Sequence, residues 1–427
     1  MIYVGMLLFF VLEYVRPANY VEPLLVLRLN SIVPLTTFVS TLATRGQTTA
    51  SFIFSEPNSW VVLGMLALVF GSVLTADVTE YAYTGFTTLL GYAMAYWMMM
   101  SEVTTISRIK GVVITLILIH LIVAGLNPVL FTDPDGRHYL LSGFFLGDGN
   151  DFSLSINIVI PLCLFLLQDS KKLIQKLLWA GSLLVLVAGN VMTKSRGGTI
   201  ALAVMAVYYW IGSDKKFQTA AVGAVVIALI MALAPSSYFE RMNMINTEEE
   251  SASSRLTAWG TAVQMAMRYP IFGVGAGHFG VKYGLEFHPK DSVDGEMTAH
   301  SLYFLALGEL GLPGIALVLF FFGSNFAANR RLSVELSRDP TRQRDVALLT
   351  ATTASLLAFA AGAAFLSCLY YPHIYVLCGL MAATRRVLRE QKSDAPAAMV
   401  ESKRPEITLH WALRPAPGVT TQGHLPR

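Results

Sequence analysis

Residues 111–130 read Gly-Val-Val-Ile-Thr-Leu-Ile-Leu-Ile-His-Leu-Ile-Val-Ala-Gly-Leu-Asn-Pro-Val-Leu, with no lysine, arginine, aspartate or glutamate among them. A helix needs about 20 such residues to cross the hydrocarbon core of a bilayer, so this stretch reads as a membrane span. Arg108 and Lys110 stand immediately before it. Basic residues flanking a span mark its cytoplasmic end, so the stretch indicates orientation as well as class.

Working outward, comparable apolar runs lie at 1–15, 22–42, 59–75, 83–100, 153–168, 177–193, 197–212, 217–234, 301–326, 346–367 and 372–388. The first is short, and the second contains Arg28 and Pro34. With 111–130 they predict an all-α, polytopic transmembrane bundle of about 12 spans, because only closed hydrogen-bonding elements cross lipid. Composition agrees: of 427 residues, 54% are hydrophobic and 14% charged, and the mean hydropathy is +0.55. Soluble domains carry about a quarter charged residues. A single water-soluble core does not need so much apolar surface, whereas every lipid-facing position does.

The basic residues Arg108/Lys110, Lys171/Lys172/Lys176, Lys215/Lys216, Arg330/Arg331/Arg338/Arg342/Arg344 and Arg385/Arg386/Arg389 fall in alternate loops. The positive-inside rule makes those loops and both termini cytoplasmic. Loops 76–82, 131–152, 194–196, 235–300 and 368–371 then face outward. A net charge of +3 dispersed in short clusters argues against a nucleic-acid partner. Met1–Leu12 is apolar from its first residue, with neither a basic leader nor a small-residue cleavage site, and reads as an uncleaved first span. Cys163, Cys368 and Cys378 have no metal-ligand or disulfide spacing and read as packing residues.

Two segments stand apart from the spans. Residues 235–300 form one large outward loop, expected to be partly helical. From Ser254, a plausible N-cap, Leu256, Trp259, Val263 and Met267 form an apolar stripe that Pro270 stops. This helix is expected along the membrane surface or packed over the bundle, with Arg255 at its N-terminal end. Residues 391–427 are polar and proline-rich and read as a disordered cytoplasmic tail, leaving 1–390 as the membrane domain.

Five places carry candidate chemistry. In Met192-Thr193-Lys194-Ser195-Arg196-Gly197-Gly198, two cations occupy a short outward turn, against the charge rule. They either snorkel to headgroups or form an anion site that the glycines let a ligand approach. Arg255 is either a solvated charge or the second half of a diphosphate clamp. His300, in Thr298-Ala299-His300-Ser301-Leu302-Tyr303, is either interfacial or a general base, its ordinary pKa of about 6.5 suiting proton removal near neutrality. Glu309, in Leu307-Gly308-Glu309-Leu310-Gly311-Leu312-Pro313-Gly314, is an ionisable residue within a span, functional or structural with equal weight. Gly147-Asp148-Gly149-Asn150-Asp151-Phe152 precedes span 153–168, where Asn150 and Asp151 either cap the helix or hold sugar hydroxyls. Gly273-Val274-Gly275-Ala276-Gly277 follows no strand and reads as a tight turn rather than a nucleotide loop. Glu248, Glu249, Glu250, Asp291, Asp294 and Glu296 fit no metal loop.

Taken together, Gly147–Pro161, Ser195-Arg196-Gly197-Gly198, Arg255 with Trp259, Tyr269–Gly275 and His300 with Leu302-Tyr303 and Glu309–Leu312 resemble the O-antigen ligase and polymerase superfamily of bacterial inner-membrane proteins. The resemblance covers most of residues 145–325, and Ser301 departs from the asparagine that commonly follows the histidine. It implies a metal-independent, inverting glycosyltransferase without cofactor. The enzyme would move a glycan from undecaprenyl diphosphate to a hydroxyl at the periplasmic face, in O-antigen, lipopolysaccharide or exopolysaccharide biosynthesis. By resemblance His300 is the base, Arg196 and Arg255 bind the diphosphate, and Lys194, Asn150, Asp151 and Glu309 are further candidate substrate contacts. The implied partners are the lipid-linked glycan, a glycan or lipid A-core acceptor, membrane lipid and a chain-length regulator. Protein O-glycosylation by the same chemistry is an alternative. A flippase or polysaccharide transporter is the rival from another class, against which the clustering of unusual cations at one face speaks.

Overall fold

The computed structural model describes residues 1–132, 139–141, 144–213, 215–243, 249–288 and 297–393. Among them every regular element is helical, and the only β-pairing is an isolated bridge between Tyr139 and Asp148. In chain order the α-helices are α1 (Ile2–Val15), α2 (Pro23–Val26), α3 (Leu29–Ser55), α4 (Pro57–Thr75), α5 (Thr79–Glu102), α6 (Ile106–Leu126), α7 (Val129–Thr132), α8 (Gly149–Asp169), α9 (Leu173–Met192) and α10 (Arg196–Gly212). They continue with α11 (Lys216–Leu233), α12 (Ser236–Asn243), α13 (Glu249–Arg268), α14 (Phe279–Lys282), α15 (Leu302–Leu336), α16 (Gln343–Ala363) and α17 (His373–Ser393).

A helix overlaps each apolar run of the sequence, and among the described residues seven helical segments are long and apolar enough to cross a membrane: those of α1, α4, α6, α8, α9, α15 and α16. The second run is corrected. Its helix starts at Leu29, after Arg28 turns into the left-handed region, and continues to Ser55 through a threonine-rich stretch. The hydroxyls of Thr36, Ser40, Thr41 and Thr44 donate to carbonyls a turn back, which keeps such residues compatible with a helix. The helix over 301–326 runs on to Leu336 and kinks at Gly311, whose φ is 65°.

The most buried spanning helix is α8, packed by α6, α9, α10 and α16. Around it, α4 packs on α5 and α15, and α15 on α16. The periphery shows leucines outward: on α9, Ile174 is 71% exposed and Leu184 64%, while Ser182, Leu186, Gly189 and Asn190 face the protein. Apolar residues outside and small or polar ones inside is the arrangement that lipid demands. Cys163, Cys368 and Cys378 are buried free thiols.

One end of the bundle gathers basic clusters. Asp169, closing α8, pairs with Lys110 at the start of α6 and with Arg344 at the start of α16. Glu102, at the end of α5, pairs with Arg45 and Arg108, both at 3.0 Å. The start of α8, the α9–α10 turn and the start of α15 belong to the opposite ends of these helices.

Residues 235–300, where described, hold α12, α13, α14 and a π-turn at Tyr283–Phe287. Two expectations for α13 are corrected. The helix already includes Glu249, so Ser254 is not its N-cap and Arg255 lies inside it. Its buried face is Ala258, Thr261, Ala262, Met265 and Ala266, packed on α15, whereas Leu256, Val263 and Met267 are exposed. Alanines admit close helix approach, so packing followed the small residues rather than the large ones. Glu248, Asp291, Asp294 and Glu296 lie outside the described residues, as does 394–427. Residues 1–388 form one compact unit.

Candidate functional site

The α9–α10 turn is built around residues small enough to dock on α8. Ser195 caps α10 by accepting from the Gly198 amide at 3.2 Å. Beneath the turn, Asn157 of α8 donates to the Gly198 carbonyl at 3.1 Å and exchanges hydrogen bonds of 3.4 Å with Asn190 of α9. Ser153 also donates to Asn190. A Cβ at Gly198 would overlap the Ser153 hydroxyl and lie 2.9 Å from Asn190 Oδ1, so glycine is required by contact. Arg196 is the first residue of α10 and is half-buried. Lys194 is 5% exposed and has φ 52°. The side chain is thus held within the protein rather than extended to lipid.

The start of α8 lies against this turn. Asp148 caps the helix, its Oδ1 accepting from the amides of Asn150 at 2.8 Å and Asp151 at 3.0 Å. A Cβ on Gly149 would stand 3.2 Å from the Thr193 carbonyl, which measures how closely the two segments approach. The Tyr371 hydroxyl, from the α16–α17 connection, donates to Asp151 Oδ1 at 3.0 Å. Asn150 and Asp151 are half-buried at this mouth.

Above it, α13 is fixed to the segment that carries the histidine. Trp259 donates its indole N–H to the Ala299 carbonyl at 3.1 Å and stacks on Phe304 with centroids 4.9 Å apart. Arg255 lies four residues before Trp259, on the same side of the helix. His300 is exposed and has φ 45°, immediately before Ser301, the N-cap of α15. Lys194 likewise precedes the N-cap of α10. A non-glycine residue in the left-handed region costs roughly 1–2 kcal/mol, and such strain gathers at functional sites.

Desolvation by the surrounding chain lowers the His300 pKa below its ordinary value, and the Arg255 charge lowers it further. The Asp148 carboxylate acts in the opposite sense. Three separate segments therefore meet electrostatically at His300: its own loop, α13 and the cap of α8. A neutral imidazole beside a guanidinium can take a proton from a hydroxyl, and the cation can stabilise a departing anion.

Glu309 serves a different place. Its carboxylate, 2% exposed, accepts from the amides of Gly277 at 2.9 Å and Phe279 at 3.0 Å and from the Tyr370 hydroxyl at 2.6 Å. The stretch from Gly273 to Gly277 is the tight turn expected, with positive φ at all three glycines. It is sewn to α15 by bonds from Val274 N to Gly308 O, 2.9 Å, and Gly275 N to Glu309 O, 3.0 Å. Sequence reasoning had not singled out the two adjacent tyrosines. Tyr370 holds Glu309 and Tyr371 holds Asp151, and Tyr370-Tyr371-Pro372 at a helix re-entry was the local trace of them. The cap of α8 is Asp148 and not Asn150 or Asp151, whose amides donate to it, and its effect on His300 left no local trace in the sequence.

Residues 181–319 match the family model described as O-antigen ligase. The match spans Arg196, Arg255, His300 and Glu309, while Asp148 and Asp151 precede it. Comparison with curated proteins finds no match.

Proposed function

We propose that this multi-pass membrane protein, whose residues 181–319 match the family model described as O-antigen ligase, is an enzyme that transfers a glycan from undecaprenyl diphosphate to a hydroxyl acceptor at the outer face of the bacterial inner membrane. The observation that supports the reading is a histidine in left-handed backbone, carried by a segment that Trp259 ties to the helix of Arg255, with its pKa lowered by desolvation and then by Arg255 and raised by Asp148. That arrangement suits a base and a leaving-group clamp.

In the proposed reaction the acceptor hydroxyl gives its proton to His300 and attacks the anomeric carbon. The bond from that carbon to the diphosphate oxygen breaks on the opposite face, so configuration inverts. Both electrons leave with the diphosphate, whose charge Arg196 and Arg255 neutralise. Two guanidinium groups do here, without metal, what a divalent cation does elsewhere. The lipid diphosphate bond carries the driving force, so no nucleotide enters. Lys194, buried beside Arg196 in the chain, adds positive charge to the same turn, and Asn150 and Asp151 are placed to meet sugar hydroxyls. Glu309 is assigned a positioning role, through the turn that it holds, rather than substrate contact.

The basic clusters gathered at one end support the cytoplasmic assignment of that end, and the remaining helices complete the twelve-span topology proposed here. Incubating the purified protein with lipid-linked glycan and candidate acceptors tests the reading: a glycan-extended acceptor is expected, and an unchanged donor pool contradicts it. In a deletion strain, single repeat units indicate a lost polymerase, whereas full-length chains retained on the carrier indicate a lost ligase.

A further inference from the structure

Away from His300, a cleft of about 370 Å³ opens at the far end of α13, lined by Thr75, Asp77, Arg268, Tyr269, Phe272 and Lys282 among others. Thirteen residues of helix separate Arg255 from Arg268, about 20 Å at 1.5 Å per residue. The cleft therefore lies too far from Arg255 to be part of the same contact set. Its volume is within the range of small-molecule sites, about 300–1,000 Å³.

The side chains form one connected chain of charge. Lys282 Nζ lies 2.6 Å from Asp77 Oδ2 and also pairs with Glu286. Arg268 Nη1 lies 3.2 Å from Glu286 Oε2, which accepts from the Tyr269 hydroxyl at 3.0 Å as well. Both lining cations are already paired, Lys282 with Asp77 in the cleft and with Glu286 beside it, and Arg268 with Glu286, so little unneutralised charge is left to select a ligand by charge alone. Asp77 and Arg268 are 54% and 59% exposed at their side chains, so each presents further hydrogen-bonding capacity to a ligand. Tyr269 supplies a ring beneath the Arg268 and Lys282 cations, and Phe272 and Pro270 add apolar surface.

One wall is rigid. Gly273 N donates to Tyr269 O and Leu312 N to Pro270 O, both at 2.9 Å. Positive φ at Gly273 and Gly311 lets the two backbones meet. A preformed cleft that mixes a carboxylate and a paired guanidinium with aromatic surface matches a ligand bearing many hydroxyls and apolar C–H faces. A compact anion would have to compete with the carboxylates that already pair with both cations.

We propose that the cleft bounded by Asp77, Arg268, Tyr269 and Lys282 is a carbohydrate subsite, holding the glycan several sugars away from the bond that reacts. The inference rests on the glycan-transfer reading and names where the remote part of that substrate, or of the acceptor, is gripped. It explains how a flexible chain is kept from wandering while its end reacts, because remote binding energy positions the reacting group.

The test uses the purified full chain in detergent and fluorescently end-labelled oligosaccharide, released from the carrier lipid of the same cells by mild acid and so lacking diphosphate. Wild type is expected to bind it, with Asp77→Asn and Tyr269→Ala each weakening binding about tenfold, as the loss of one good polar or stacking contact does. Asp77 is an exposed loop residue, so its variant guards against misfolding of the tyrosine variant. His300→Ala is expected to bind the oligosaccharide as wild type does. Equal binding by wild type and both cleft variants overturns the subsite, as does an absence of binding by wild type. Displacement of the oligosaccharide by vesicles of anionic phospholipid, with no loss in the Asp77 variant, assigns the cleft to headgroups instead and also overturns it. Transfer without cleft-dependent binding removes the subsite alone, whereas cleft-dependent binding without transfer removes the proposed reaction alone.

Discussion

Trp259 donates its indole N–H to the carbonyl of Ala299 across 3.1 Å, joining α13 to the residue just before His300. The bond sets the register between Arg255 and the imidazole, since Arg255 lies one turn earlier on the same helix. Ala299 is fully buried, so its carbonyl has no ready replacement in water. Trp259→Phe keeps an aromatic ring against Phe304 and removes only the donor. It should cost about 1–3 kcal/mol locally while the protein still accumulates. Glycan transfer per mole of purified protein should fall on the order of 10- to 100-fold, the scale of a misplaced catalytic group. Wild-type turnover would detach α13 from the chemistry.

The pH profile carries the electrostatics of the site. In the proposed reaction His300 acts as a base only when neutral, and its pKa lies below the ordinary value through desolvation and Arg255. Activity should persist below the ordinary histidine range and fall as pH drops through the depressed value. Arg255→Gln removes a positive neighbour, so the pKa rises and the acid limb moves to higher pH, alongside a slower rate. Asp148→Asn removes a negative neighbour, so the limb moves to lower pH. Asparagine caps a helix about as well as aspartate, which leaves α8 intact. Rate measured against pH for the three proteins decides, and limbs that move the other way contradict the assignment.

At Arg196 the demand is for geometry as well as charge. Arg196→Ala should lower transfer by roughly 10²–10³-fold, the scale of a lost anion-stabilising donor. Arg196→Lys should recover little, because an ammonium cannot form two parallel bonds to a phosphate. Both variants should insert and accumulate, since the arginine belongs to the mouth of the bundle. Normal polysaccharide from the alanine variant in a complementation assay would remove Arg196 from the mechanism.

Glu309 and Gly273 should fail in another way, through loss of folded protein. The carboxylate receives three donors. Glutamine would turn its NH₂ towards the amide of either Gly277 or Phe279, and alanine would leave all three unanswered. Each buried group without a partner costs about 1–3 kcal/mol. A Cβ at Gly273 would collide with the backbone of Gly308 and Glu309, at a φ of +63°. Glu309→Gln and Gly273→Ala are therefore expected at lower levels in membranes, measured by immunoblot, with activity reduced in proportion.

Much of this architecture was legible because its causes are local. Apolar runs and basic clusters record the cost of placing charge in lipid, and Asp169 bridging Lys110 and Arg344 shows clusters distant in sequence meeting at one end. The sequence places the start of α13 too late because Ser254 resembles a cap, whereas the helix already includes Glu249 upstream of it. Large side chains drew attention to the wrong stripe of that helix. Tyr371 and Asp151 are 220 positions apart, and the influence of Asp148 reaches His300 across 152 positions of sequence. No periodicity or spacing encodes such a pairing, which exists only once α8, α13 and α15 are packed. Arg196, Arg255 and His300 stand out in the sequence because cations and an imidazole next to apolar runs, on the side that the basic clusters avoid, are anomalies in themselves.

The most direct test measures donor binding and transfer separately in His300→Ala. The purified variant and wild type would be given lipid-diphosphate-linked glycan and acceptor, with bound donor and extended acceptor quantified from the same samples. The account predicts donor affinity close to wild type, because the arginines remain, with transfer lowered by about 10²–10⁴-fold, the range of a lost general base. Transfer at the wild-type rate by the alanine variant would contradict it.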